Sequence, residues 1–129
     1  MKKMRLFQLI LMASATTTLA ATPNWTPDPA TISKLESSIK SADIPWNYGG
    51  QHAISEYARY YAASMAGDHR IIQGEWIIPL GAKMKSAGVY IFGSRKEFPT
   101  VSDGGCAIIN LVYDIETARI VSLRCNGLA

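Results

Sequence analysis

Apolar positions recur with one period up to about residue 66 and with another after it. Ile32, Leu35 and Ile39 lie at helical spacing, with Ser33, Lys34, Glu36, Ser37, Ser38 and Lys40 filling the other faces. Asp28 followed by Pro29 supplies an N-cap and a first helical residue, and Pro45 disfavours helical geometry at Ile44, so this helix is expected to stop by Asp43. Ile54, Tyr57, Ala58, Tyr61 and Met65 make a second apolar stripe that predicts a helix over 51–66, ended by Gly67-Asp68. From His69 the pattern turns β-branched and aromatic. Ile71, Ile72, Trp76, Ile77 and Ile78 form one strand ending at Pro79, Val89–Phe92 a second, and 105–113 and 118–125 a third and fourth, joined by a turn at Asp114–Thr117.

Two helices followed by four strands on short connections predict an α+β domain with two N-terminal helices packed on a four-stranded antiparallel meander, since no strand-helix-strand alternation is present to build a parallel sheet. The last hairpin bears on the two cysteines. If Tyr113 faces Ala118, Cys106 faces Cys125 directly, at a Cα separation of about 4.5–5.5 Å that suits one cross-strand disulfide. If Asp114 faces Arg119 instead, the register shifts by two and the cysteines are offset; both registers remain open.

The first residues belong to a different object. Lys2, Lys3 and Arg5 precede an apolar run from Leu6 to Ala15, and small residues follow up to Ala20 and Ala21. That is the layout of a signal peptide over 1–20, cleaved after Ala20 or Ala21, and the run is shorter than the roughly 20 apolar residues that span a bilayer in a helix. No stable membrane anchor is expected after cleavage. A proline-rich lead-in over 21–30, extended or mobile, and a single domain over 31–129 complete the expected organisation. The expected address is periplasmic or secreted, where disulfides persist.

The leader also changes the charge argument. The chain of 129 residues has a formal net charge of +3, and Lys2, Lys3 and Arg5 supply that whole excess, leaving the exported part neutral. A nucleic-acid partner is therefore not expected, because such binding rests on cationic neutralisation of phosphates. Lys83/Lys85 and Arg95/Lys96 are the only dense basic pairs and read as solvated loop charges.

No spacing in the chain amounts to a catalytic, metal or nucleotide signature. His52 and Glu56 lie four apart but lack further ligands, and about fifteen residues of helix, over 20 Å, would part His52 from His69. A metal and a cofactor are not expected. Ser55 beside His52 does not face it on a helix, no nucleophile elbow is present, and Gly49-Gly50 and Asp103-Gly104-Gly105 read as turns. Asn110, within the apolar run Ile108–Val112, must find hydrogen-bond partners if buried. The aromatics are the remaining lead. Most belong in a core, whereas Trp46 and Tyr48 in a Gly-hinged loop and Tyr60 on the flank of the second helix are the candidate binding residues.

The expected layout resembles the cystatin-like and nuclear-transport-factor-like architectures, although no motif carries that likeness. It implies two classes of function. The first is a non-enzymatic partner-binding or inhibitor-like domain that docks on a protein; the second is a cone-shaped domain that binds a small molecule, or a small hydrolase or isomerase.

Overall fold

A computed structural model describes residues 23–127. The leader expected over 1–20 lies outside those residues. Helix α1, Pro29–Ser37, starts where the sequence places it, with Asp28 Oδ1 accepting the backbone N–H of Thr31 at 2.7 Å. It ends earlier than Asp43, and a short 3-10 turn, Ser41–Asp43, follows. Ile32 and Leu35 are its buried residues.

The second expected helix does not form. Its span holds a 3-10 turn, Ile54–Glu56, and then strand β1, Ala58–Ala66. The reason lies in where β1 sits. It is internal to a five-stranded sheet, ordered β3-β1-β2-β4-β5, with β2 at His69–Ile77, β3 at Gly88–Phe92, β4 at Ile108–Asp114 and β5 at Arg119–Cys125. A strand covered on both faces shows no polar alternation, so Tyr57–Ala63 read as a helical stripe instead. Gly67-Asp68 is the two-residue loop of the β1–β2 hairpin, closed by Ala66 opposite His69, and the positive φ of 61° at Gly67 suits that turn as well as it suits a helix stop.

The sheet is mixed, not an antiparallel meander. β2 ends with Ile77 opposite Ala58, and β3 begins with Gly88 on the other side of the same Ala58, so β3 runs parallel to β1 without a helical crossover. The intervening β2 has already carried the chain back to the level where β1 starts. β3 then ends at one edge of the sheet, while β4 must pair with β2. The connection 93–107 therefore crosses β1 and β2 and covers the face opposite α1. One helix on one face and a loop on the other replace the expected two-helix layer.

The α1 face carries the larger core: Tyr57, Tyr61, Ile72, Trp76, Ile109, Leu111 and Tyr113 with Ile32, Leu35 and Ile44. Trp25 packs against it, so the proline-rich lead-in contributes to the fold rather than hanging free. Gly74 in β2 is required by this packing. A Cβ there would lie 3.0 Å from the Tyr61 ring and 3.3 Å from Leu111 Cβ.

The disulfide Cys106–Cys125 forms, with Cα atoms 4.4 Å apart, but not as a directly opposed strand pair. Asp114 faces Arg119, the shifted register, and a bulge between Val112 and Tyr113 then sets Ile109 opposite Cys125. The 3-10 turn Gly105–Ala107 before β4 folds Cys106 back to reach its partner. The bulge adds one residue to β5, and Val121 there is exposed.

Candidate functional site

The two faces of the sheet differ in chemistry. On the α1 face, one transverse row reads Val89, Arg59, Trp76, Ile109 and Cys125, mostly apolar. The adjacent row on the opposite face reads Tyr90, Tyr60, Glu75, Asn110 and Arg124, each directly across from the next, so side chains of all five strands meet in one polar line.

Glu75 is the centre of that line. It is only 8% exposed, and its Oε1 is buried without a hydrogen-bond partner among the described residues. Burial pushes its carboxyl above the ordinary 4.5, and the Arg95 guanidinium pulls it partly back. Tyr60 is raised in the same direction, by burial first and then by Tyr90 and Glu75.

The cover over this row comes from 93–107. Ser94 Oγ accepts the Lys96 N–H at 3.2 Å and Glu97 Oε2 accepts the Ser94 N–H at 3.2 Å, shaping a 3-10 turn at Arg95–Glu97. That turn holds Arg95 over the sheet. Phe98 and Val101 pack down beside Tyr60, Ile77 and Ile108. At the far end, Asn126 fastens the loop: its Nδ2 donates to Asp103 O at 2.9 Å and Val101 O at 3.4 Å, while its Oδ1 accepts from Asn110 Nδ2 at 3.2 Å.

Between cover and sheet is a cavity of about 230 Å³ bordered by Glu75, Arg95, Lys96, Phe98, Thr100 and Val101. A second hollow of about 220 Å³, over Gln73, Asn110 and Val112, shares Arg95 as a wall. Arg95 and Lys96 are exposed and form no ion pair among the described residues. The arrangement presents a buried carboxyl floor, a cationic rim and an apolar side. It can accept hydrogen bonds from below and hold negative charge from above.

The three aromatic candidates are not brought together as one surface. Trp46 is 63% exposed and Tyr48 is fully exposed on a turn closed by Gly50 N–H donating to Asn47 O at 2.9 Å. Tyr60 is on β1 rather than a helix flank, is 3% exposed, and stacks on Tyr90 and Phe92 with ring centroids 5.5 and 5.9 Å away. A buried ring cannot anchor an external partner; Tyr60 belongs to the core cluster with Phe98 under the cover, directly across from Glu75 on the neighbouring strand. His52 Nδ1 lies 3.5 Å from Glu56 Oε1, an exposed pair. His69 Nδ1 lies 2.7 Å from Asp114 Oδ2 at the other end of the sheet. Among the described residues, no three His, Cys, Asp or Glu side chains gather as metal ligands, and no helix is long and apolar enough to cross a membrane.

Glu75, Arg95 and Lys96 are the residues that sequence reasoning missed as a site. The alternation Ile72, Gly74, Trp76 against Gln73, Glu75 was the available signal for a strand with one polar face. Its burial depends on a loop that begins eighteen residues later. Comparison with protein-family models, with curated proteins and with solved structures finds no match to this chain.

Proposed function

We propose that this chain is an exported binding domain that holds a small polar ligand in the cleft between the sheet and the 93–107 cover. The observation that carries the reading is Glu75, a residue that borders a cavity and whose carboxyl is buried on the sheet, one oxygen having no hydrogen-bond partner among the described residues. Such a group is costly to the fold, and a ligand that donates to the carboxyl from the cavity gives it a use. The basic leader and the disulfide support a working place outside the cytoplasm. A heteronuclear NMR titration with a library of small polar fragments tests it. Shifts confined to residues 60, 75, 95–101 and 110 are expected; shifts confined to 46–50 would overturn it.

A second reading, recognition of a protein partner, is favoured by one observation: Trp46 and Tyr48 stand exposed on a tight turn. Tyr and Trp supply large contact area with a polar tip and little rotamer entropy to lose. Tyr60 has no part in that surface.

A further inference from the structure

The ligand itself can be narrowed from what borders the cleft, an inference that rests on the reading of the cleft as a binding site. We infer that it takes a small anion that also carries an N–H or O–H donor, of the amino-acid or hydroxy-acid class, with the donor on the Glu75 carboxyl and the anionic group between Arg95 and Lys96.

Three simpler chemistries each fail one wall of the cavity. An apolar molecule offers the Glu75 carboxyl no donor and gives Arg95 and Lys96 no counter-charge. A plain cation satisfies the carboxyl but must pass Arg95 and Lys96, whose charges repel it. A plain anion suits Arg95 and Lys96, yet it brings negative charge against the carboxyl and offers it no donor. A compact molecule that carries both groups meets the floor and the rim together.

The geometry fits this pairing. Glu75 is fixed by its strand neighbours Tyr60 and Asn110, whereas Arg95 reaches from a turn on the cover, so the two ends of the ligand would be gripped by sheet and loop. Arg offers a planar fork for a carboxylate or another oxyanion, and Lys96 adds a point charge beside it. The cavity of about 230 Å³ has the volume of about eight waters, room for a compact acid of that number of heavy atoms or fewer. Phe98 and Val101 form the apolar wall that a short aliphatic side chain would touch.

The test uses four probes on the folded protein, read by NMR shift and calorimetry: L-alanine and L-lactate, which carry both groups, acetate, which carries only the anion, and ethylammonium, which carries only the donor. Alanine and lactate are expected to bind at least about tenfold tighter than either single-group probe, with shifts at 75 and 95–101. Arg95→Ala, an exposed loop change, should weaken both by about tenfold or more. Glu75→Gln retains the shape and an acceptor oxygen while removing the charge, so it should weaken alanine more than lactate. Acetate binding in the cleft as tightly as lactate would overturn the ligand class while sustaining the cleft as a site. No shift at the cleft with any of the four probes would overturn the class as well, and the fragment titration then decides separately whether the cleft binds anything.

Discussion

The hydroxyl of Tyr61 donates to Glu36 Oε1 at 2.7 Å, joining helix α1 to strand β1. Arg59 Nε donates to the same oxygen at 2.7 Å, and Trp76 Nε1 donates to the Tyr61 hydroxyl at 3.0 Å. One carboxylate at the inner side of α1 therefore satisfies a guanidinium and a phenol at the edge of the core, and the phenol in turn satisfies an indole. The phenol is held protonated: burial and then the Glu36 charge push its ionisation far upward.

Removing that carboxylate leaves Arg59 without its ionic partner and Tyr61 without its acceptor. Glu36→Ala is expected to lower unfolding free energy by about 2–3 kcal/mol and Tyr61→Phe by about 1–2 kcal/mol, measured by urea denaturation. The double variant should lose less than the sum of the two, because both changes break the same bond.

Glu75 makes stability depend on pH in a predictable direction. Its carboxyl holds its proton to higher pH in the folded protein than in the unfolded chain, so unfolding releases a proton between the ordinary 4.5 and the raised folded value. Stability is then fully present below 4.5 and is lost as pH rises through that window. Glu75→Gln removes the titration. The Tm of the wild type relative to the variant should fall as pH rises from about 4 toward neutrality; an unchanged difference would show that Glu75 is not buried as described.

His69 and Asp114 form an opposite case at the far end of the sheet. Asp114 holds the imidazolium form, chiefly through its hydrogen bond, and raises His69 above 6.5; His69 in turn lowers Asp114 below 3.8. The His69 contribution is fully present below 6.5 and is lost as pH rises through the raised value. The Asp114 contribution is present above 3.8 and is lost as pH falls through the lowered value. The Tm difference between wild type and His69→Ala should therefore be greatest between those limits and shrink on both sides.

Reduction of Cys106–Cys125 opens a loop with a sequence separation of 19. Chain entropy puts the loss at about 3 kcal/mol. The same change should loosen the end of the cover, because Asn126, next to Cys125, donates its backbone N–H to Gly105 O and Ile108 O at 3.1 and 2.8 Å. Faster amide exchange at Asn126 and Ala107 on reduction, with a mass gain of one hydrogen pair, checks both parts.

Local chemistry was legible where it is decided locally. Asp28-Pro29 set the start of α1, and the β-branched residues around Ile71 and Ile109 set their strands, because capping and β-packing need only near neighbours. The cysteine pairing was legible from there being two cysteines, but not from the hairpin arithmetic: the register is the one expected to offset them, and a bulge together with the 3-10 turn at Gly105–Ala107, which no residue type announces, brings them together. Tyr57–Met65 misled because a strand buried on both faces loses the alternation that identifies it, and because Gly67-Asp68 serves a hairpin as readily as a helix end. The site was less legible still. Glu75 looks like a solvent-facing strand residue until the parallel placement of β3 forces 93–107 across it, bringing Arg95 over a carboxyl twenty positions earlier in the chain.

The three aromatic candidates provide a final test, because the structure separates them by burial. Tyr60 is enclosed by Tyr90, Phe92 and Phe98, the last with its ring centroid 6.1 Å away, so Tyr60→Ala removes the centre of an aromatic stack and opens a void beneath the cover. A loss of about 3–5 kcal/mol is expected, as for large aromatic truncations in cores. Trp46 and Tyr48 stand outside both cores, and Trp46→Ala and Tyr48→Ala should each change stability by less than about 0.5 kcal/mol. The same variants divide the two functional readings. If the cleft is the binding site, Tyr60→Phe, which retains the ring, should leave the fold intact and alter fragment shifts at 75, while Trp46→Ala leaves them unchanged. If partner recognition through the turn is the function, Trp46→Ala and Tyr48→Ala should each weaken capture of a defined partner by about 1 kcal/mol or more, and Tyr60→Phe should not.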